Sequence, residues 1–145
     1  MKALIQRVNS ASVTVDSKVI GKIEKGILVF LGVSKNDTSK DADFLANKIA
    51  ELRIFESGDK PMDLSVQDIK GNLLIVSQFT LYGSTKKGRR PDFGEAALPE
   101  TANELYEYFV KECRKKVQKV ETGKFGAMMD VSLINDGPVT FMIES

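Results

Sequence analysis

The side chains best equipped for chemistry sit together in Ser77-Gln-Phe-Thr80, at the end of the apolar run Leu73-Leu-Ile-Val76. The end of a rigid element aims functional groups while the loop behind it opens space. Ser77 and Thr80 offer hydroxyls, Gln78 an amide and Phe79 a stacking face. Composition alone favours a plainer reading, in which this is a strand whose polar residues face water. A second segment is the turn Asn135-Asp-Gly-Pro138. Gly137-Pro138 is either a rigid elbow whose carbonyls point at a ligand or an ordinary trans-proline loop, since only about 5–6% of X–Pro bonds in folded proteins are cis. A third is Lys86-Lys-Gly-Arg-Arg-Pro91, with four cations in five residues. Lys86, Lys87, Arg89 and Arg90 would suit phosphate contacts, and a solvated basic loop fits them as well.

The chain has no histidine. That removes Ser-His-Asp and Cys-His chemistry and argues against a zinc or other transition-metal centre. An enzyme of this composition must rely on carboxylates, lysines, hydroxyls, backbone dipoles or groups on its own substrate. The single cysteine, Cys113, falls on the apolar side of a helical pattern and reads as a core residue, with no internal disulfide possible. Lys and Arg number 21 against 20 Asp and Glu, a net charge of +1. This balance neither favours nor excludes a polyanionic partner, so the distribution of charge matters more.

These segments must be held by one domain, which 145 residues suit. No apolar run approaches the roughly 18 residues of a membrane span. The opening MKALIQRV turns polar at once and lacks a signal-peptide core. A cytoplasmic location is therefore expected. Leu4 to Val8, the alternating Ala11-Ser-Val-Thr-Val15 and Val19 to Ile23 read as strands, and Ile27 to Leu31 as a strand buried on both faces. Asp37-Thr-Ser39 supplies caps for a helix whose buried stripe is Ala42, Leu45, Ala46, Ile49 and Leu52. Arg53-Ile-Phe55 reads as a short strand and Glu56 to Gln67 as loop; in Leu73 to Tyr82 the first half reads as a buried strand, and the second half interleaves hydroxyl and amide groups with apolar residues, which is unusual for a plain core strand. A second helix is predicted from about Pro99 to Gln118, with capping-box spacing at Thr101 and Glu104, a core stripe through Leu105, Phe109, Cys113 and Val117, and cations from Lys111 to Lys119 toward its end. Strands near Val131 to Ile134 and Val139 to Ile143 flank the Asn-Asp-Gly-Pro turn. The expected architecture is a single α/β domain over residues 1–145, a mostly antiparallel or mixed, barrel-like sheet with two main helices.

Over essentially its whole length the chain resembles D-aminoacyl-tRNA deacylases of the bacterial and eukaryotic type. The resemblance is carried by Met1-Lys-Ala-Leu-Ile-Gln-Arg-Val8 with Ala11-Ser-Val-Thr-Val15, by Val76-Ser-Gln-Phe-Thr-Leu-Tyr82 and by Lys87-Gly-Arg-Arg-Pro-Asp-Phe93. It continues in Val120-Glu-Thr-Gly-Lys-Phe-Gly126 and Val131-Ser-Leu-Ile-Asn-Asp-Gly-Pro-Val-Thr140. One such stretch is weak evidence; five in order are specific.

The resemblance implies hydrolysis of the ester joining a D-amino acid, or glycine on a non-cognate tRNA, to the terminal ribose, with L-aminoacyl-tRNA spared. It implies a homodimer in which a cis Gly137-Pro138 turn reaches into the partner's site and fixes the substrate's α-amino group by two carbonyls. An L side chain would then be driven into the turn. Gly137 allows close approach. Arg7 is placed near the turn as its brace. Phe79, Phe125 and Met129 are expected to shape a pocket for the terminal adenosine. Lys86, Lys87, Arg89 and Arg90, with the Lys111 to Lys119 cluster, are candidates for tRNA phosphates. No cofactor, metal, membrane or DNA partner is expected. Two schemes for the chemistry stay open. Either Thr80 is a nucleophile that lacks an identified base, or the substrate's 2′-hydroxyl assists a water while backbone N–H groups near Phe79 and Thr80 hold the oxyanion. The rivals are an RNA-binding module, an interaction domain sealed by the Gly-Pro turn, and an esterase for small D-amino acid derivatives.

Overall fold

The computed structural model describes all residues from Met1 to Ser145. Its elements in order are β1 (Lys2–Val15), β2 (Lys18–Ile23), β3 (Gly26–Gly32), α1 (Ser39–Glu51), β4 (Phe55–Ser57), β5 (Lys60–Leu64), β6 (Asn72–Ser77), α2 (Pro99–Arg114), β7 (Lys119–Thr122) and β8 (Asp130–Glu144). A 3-10 turn over Phe79–Tyr82 follows β6. No helix is long and apolar enough to cross a membrane.

The sheet is mixed. Its order is β2-β1-β3-β6-β7, with β8 on the other side of β1. β1 runs antiparallel to β2, β3 and β8, whereas β3, β6 and β7 are mutually parallel. Parallel neighbours need long crossovers. Here α1 lies in the connection from β3 to β6 and α2 in that from β6 to β7. Both helices pack on one face, where Ala42, Leu45, Ile49, Phe109 and Cys113 meet Ile5, Ile27, Val29, Leu73 and Ile75 in the main core. The other face curls into a near-closed barrel filled by Val8, Ala11, Val13, Ile23, Leu28, Leu74 and Val76. Gly21 permits the closure: a Cβ there would lie 2.6 Å from the Thr122 carbonyl oxygen and 3.2 Å from Leu74 Cδ1.

Several elements differ from the expectations. The two N-terminal runs are one strand, β1, bent where its register with β8 shifts between Gln6 and Ser10. The span 56–67 is not all loop, because β4 and β5 form a hairpin there. β6 stops at Ser77, and the remainder of the expected strand coils into the 3-10 turn. α2 ends at Arg114 rather than Gln118, with Leu98 as its N-cap and Pro99 in the first turn. The Thr101–Glu104 spacing therefore caps nothing, because Pro99 already starts the helix. Lys119, the last of the cations expected toward the end of that helix, opens β7. The capping box that does form is at α1, where Asp41 Oδ2 accepts from Thr38 N at 2.8 Å and from Thr38 Oγ1 at 2.9 Å. The Thr38 amide, chiefly, holds the Asp41 carboxyl below its ordinary value. Finally, the Asn-Asp-Gly-Pro segment does not end a strand. It bulges out of β8, which resumes its pairing with β1 beyond it.

Candidate active site

β6 is paired with β7 as far as Ile75 and with β3 as far as Ser77, so β3 holds its C-terminal end. Gln78 extends the pairing by one bond, donating its N–H to Leu31 O at 2.8 Å. The chain then turns. Leu81 N donates to Gln78 O at 3.3 Å and Gly83 N to Thr80 O at 2.9 Å. The turn sits directly on β3 because Gly32 carries no side chain: a Cβ there would be 3.1 Å from Gln78 O and 3.1 Å from Leu81 Cβ. Hydrogen bonding inside the turn begins at Leu81 N, so the N–H groups of Phe79 and Thr80 have no acceptor within it. These two donors, at the mouth of a strand end, could meet an oxyanion.

Phe79 and Thr80 are exposed, and Ser77 and Gln78 half-buried. Gln78 Nε2 donates to Thr80 Oγ1, which occupies an oxygen lone pair and leaves the hydroxyl hydrogen to point elsewhere. No carboxylate or amine accepts that hydrogen. The nearby phenol of Tyr82 is pushed up to about 12, first by burial and then by the Asp37 carboxylate, and it is no base at neutral pH. Cys113, buried under α2, is likewise pushed up to about 12 by burial.

Phe93, which the sequence did not single out for the site, packs against Phe79 with ring centroids 4.9 Å apart and planes tilted by 58°. The residue before it, Asp92, closes the basic loop. Ser84 N donates to Asp92 O at 2.7 Å and Asp92 N to Ser84 O at 2.9 Å, so residues 85–91 form a tethered lobe. Lys86, Lys87, Arg89 and Arg90 all lie exposed on that lobe, and none forms an ion pair.

Phe125 and Met129 flank the other side of β6. Gly123 N and Tyr106 Oη both donate to Ile75 O, at 3.0 and 2.8 Å, and tie the segment after β7 to β6. Phe125 packs toward α2, 6.0 Å from the Tyr106 ring centroid. Met129 packs toward the barrel core, and its sulfur accepts the Lys124 N–H at 3.3 Å. A Gly123 Cβ would lie 2.7 Å from that sulfur. The two residues thus straddle the strand end rather than sharing one wall.

The Gly137–Pro138 bond is cis, and Gly137 and Pro138 are exposed. Arg7 holds the turn from behind. Its Nε donates to Asp136 O at 3.0 Å and lies 3.1 Å from Asp136 Oδ2, while Nη1 donates to Ile54 O at 2.6 Å. Asn135 Oδ1 accepts the Val139 N–H at 2.8 Å, across the base of the bulge. Gly137 has φ +134, and a Cβ there would be 2.7 Å from Val139 Cγ2 and 3.2 Å from Arg7 Nη2. Asp136, Asn135 and Ile54 were missed by sequence reasoning. Asn135 and Asp136 lay inside the recognised turn, whereas nothing local marks the carbonyl of Ile54.

Within one chain this turn and the Ser77–Thr80 turn do not meet. The bulge stands level with Arg7 and Val8 of β1, hence with Ile27 of β3 and Leu73 of β6. Ser77 lies four residues further along β6, roughly 13 Å at strand rise. Two strands, β1 and β3, also intervene.

Comparison with known proteins gives a consistent picture. The family described as "D-Tyr-tRNA(Tyr) deacylase" matches residues 4–144. The chain is 60% identical over 146 residues to a protein named D-aminoacyl-tRNA deacylase from Thermosipho melanesiensis, covering 100% of this chain and 97% of that one. It is 54% identical over 145 residues to a protein of the same name from Bacillus cereus (strain AH187), covering 100% and 99%. Among solved structures it is similar to one described as "c-Myc DNA Unwinding Element Binding Protein", with a TM-score of 0.94, 44% identity, and 100% and 99% of the two chains covered. A structure described as a probable eukaryotic D-amino acid tRNA deacylase shares the fold at a TM-score of 0.86 and 18% identity, with 99% and 98% covered.

Proposed function

The chain belongs to the D-Tyr-tRNA(Tyr) deacylase family and hydrolyses the ester that joins a D-amino acid to tRNA, and we propose that it does so at a site shared between two copies of itself. The carrying observation is the separation just described. The turn braced by Arg7 and the strand end bearing Ser77–Thr80 lie at opposite ends of one chain's sheet. A site that uses both needs a second chain. β8, which pairs only with β1, displays Ile134, Phe141 and Met142 at 60%, 38% and 48% exposure around the turn. Apolar side chains clustered on an edge strand favour an interface there.

In the shared site the carbonyls of the Gly137–Pro138 turn of one copy receive the α-ammonium of the aminoacyl group. With that amine fixed, a D side chain points outward and an L side chain collides with main chain. Glycine has no side chain to collide and is cleaved too. The terminal adenosine rests against Phe79 at the strand end, with Phe125 and Met129 bounding it on opposite sides, and Lys86, Lys87, Arg89 and Arg90 contact phosphates. The enzyme works in the cytoplasm, where charged tRNA is found, and without a cofactor.

For the chemistry we favour a water assisted by the ribose 2′-hydroxyl. The water oxygen bonds to the carbonyl carbon, the bond to the ribose oxygen breaks, and that oxygen leaves with a proton. The Phe79 and Thr80 N–H groups hold the transient oxyanion. Thr80 Oγ1 already accepts from Gln78 and donates to no base, which disfavours nucleophilic attack. Thr80→Ala should therefore keep single-turnover deacylation within about tenfold, while loss of one oxyanion donor costs about 100- to 1,000-fold. Near-total loss with binding intact would assign the nucleophile to Thr80.

Complementation tests the shared site. One copy carries Gly137→Leu, obstructing the turn, and the other Thr80→Trp, obstructing the strand end. In an equal mixture of dimers about a quarter of sites are intact, because half the dimers are mixed and each has one good site. Recovery of D-specific hydrolysis toward that level supports the proposal. Activity no greater than the sum of the parents refutes it.

A further inference from the structure

Between α2 and the segment after β7 lies an open cleft of about 710 Å³. Neither the turn at Gly137 nor the side chains of Ser77–Thr80 line it. We propose that this cleft binds the cytidine nucleotide immediately preceding the terminal adenosine of tRNA, an inference that rests on the deacylase reading above.

Three kinds of group meet there. Phe125, half-buried, offers an aromatic face, backed by the Tyr106 ring. Lys111 and Arg114 stand exposed on the α2 wall, and neither is engaged in an ion pair. Glu104 and Glu107 line the same wall, also without ion pairs, although Glu107 and Lys111 have the four-residue spacing that favours one. Glu107 takes only a long bond, 3.4 Å, from Asn103 Nδ2. An aromatic face, free cations and free carboxylates match a nucleotide with an exocyclic amine. The base stacks, the phosphate meets the cations, and the cytosine N4 amine donates to a carboxylate. Uracil has a carbonyl at that position, which a carboxylate repels.

The position supports the same assignment. The cleft is tied to β6 at Ile75 through Tyr106 and Gly123. Ile75 precedes Ser77 by two residues, about 7 Å along a strand, comparable with one nucleotide of an extended chain. Phe125, which the deacylase reading sets at the edge of the adenosine subsite, also lines the cleft, so consecutive nucleotides would occupy neighbouring subsites.

The test has two arms. In the first, isotope-labelled protein is titrated with cytidine 5′-monophosphate, uridine 5′-monophosphate and inorganic phosphate while amide resonances are followed. Cytidylate should shift Gly123, Phe125 and Arg114 and bind about tenfold tighter than uridylate, and Glu104→Gln with Glu107→Gln should erase that preference. Equal binding of both nucleotides, phosphate alone reproducing the pattern, or no shifts at these residues would overturn the proposal. In the second arm, kcat/KM is compared for D-aminoacyl-tRNA and D-aminoacyl-adenosine, which lacks the preceding nucleotide. Lys111→Ala with Arg114→Ala should lower the ratio of the two about tenfold, and an unchanged ratio would overturn the subsite. If wild-type protein cleaves neither ester, the deacylase reading fails instead, and the nucleotide titration still decides the cleft.

Discussion

Replacing Arg7 by methionine removes the brace of the Gly137–Pro138 turn while keeping a side chain of comparable length. The guanidinium is 12% exposed and joins three acceptors: Ile54 O at 2.6 Å, Asp136 O at 3.0 Å and Asp136 Oδ2 at 3.1 Å. Asp136, at 34% side-chain exposure, can recruit water for its carboxylate, whereas the Ile54 carbonyl loses a charged donor close to the core. Hydrogen bonds to charged groups contribute roughly 1.5–3 kcal/mol each, and a stranded buried acceptor costs about 1–3 kcal/mol. Discounting the hydrated carboxylate, the loss should be about 3 kcal/mol. At roughly 3 °C per kcal/mol for a domain of this size, the melting midpoint should fall by about 10 °C. Arg7→Lys keeps the charge but has no planar fork to span both acceptors, so it should recover no more than about half of the loss. The distinctive readout is stereochemical. Below the melting range, the D-to-L hydrolysis ratio should fall more than the rate on the D-ester does, because a loosened turn admits L side chains. Full rescue by lysine, a cost below about 0.5 kcal/mol as for an ordinary surface change, or an unaltered D-to-L ratio would refute the reasoning.

Other substitutions follow from the same geometry. Gly137→Ala sets a Cβ 2.7 Å from Val139 Cγ2 and 3.2 Å from Arg7 Nη2 at φ +134. It should destabilise by about 1–3 kcal/mol in denaturant melts and lower the D-to-L ratio. Replacing Lys86, Lys87, Arg89 and Arg90 by alanine should raise KM and flatten its dependence on salt, by about one unit of log–log slope for each phosphate no longer neutralised. The D-to-L ratio should be untouched, and a change in it would contradict the division of labour. Asp41 has its carboxyl held below the ordinary 3.8, chiefly by the Thr38 amide. Its ionised form is thus favoured by folding, so the contribution is present above pH 3.8 and fades as pH falls through the lowered value. Asp41→Asn should destabilise at pH 7 and converge with wild type once the pH lies below the lowered value, as pH-dependent melts would show.

The elements most legible in the sequence were those with strong local signals. α1 announces itself by Thr38 and Asp41 ahead of a regular apolar stripe, and β3 by an unbroken run from Ile27 to Leu31. The end of β6 was not legible. Leu73 to Val76 is an unbroken apolar run and Ser77 to Tyr82 mixes polar with apolar residues, so no Gly or Pro marks a stop, and the break at Gln78 depends on Gly32, far back along the chain, leaving room for the turn. β7 is four residues with one aliphatic, too short to show a period, and exists because parallel pairing with β6 stabilises it. At the site, Ser77–Thr80 and Gly137–Pro138 stood out by residue type, and Arg7 only through the family resemblance. Phe93 and Tyr106 were hidden because their roles depend on tertiary neighbours, the Phe79 ring and the Ile75 carbonyl.

The central claim is that handedness is read by main chain at the Gly137–Pro138 turn, and parallel deacylation of D- and L-tyrosyl-tRNA by the wild-type protein tests it most directly. The D-ester should be cleaved at least about a hundredfold faster, a difference of about 2.7 kcal/mol in transition-state stabilisation. Comparable rates on the two esters would contradict it.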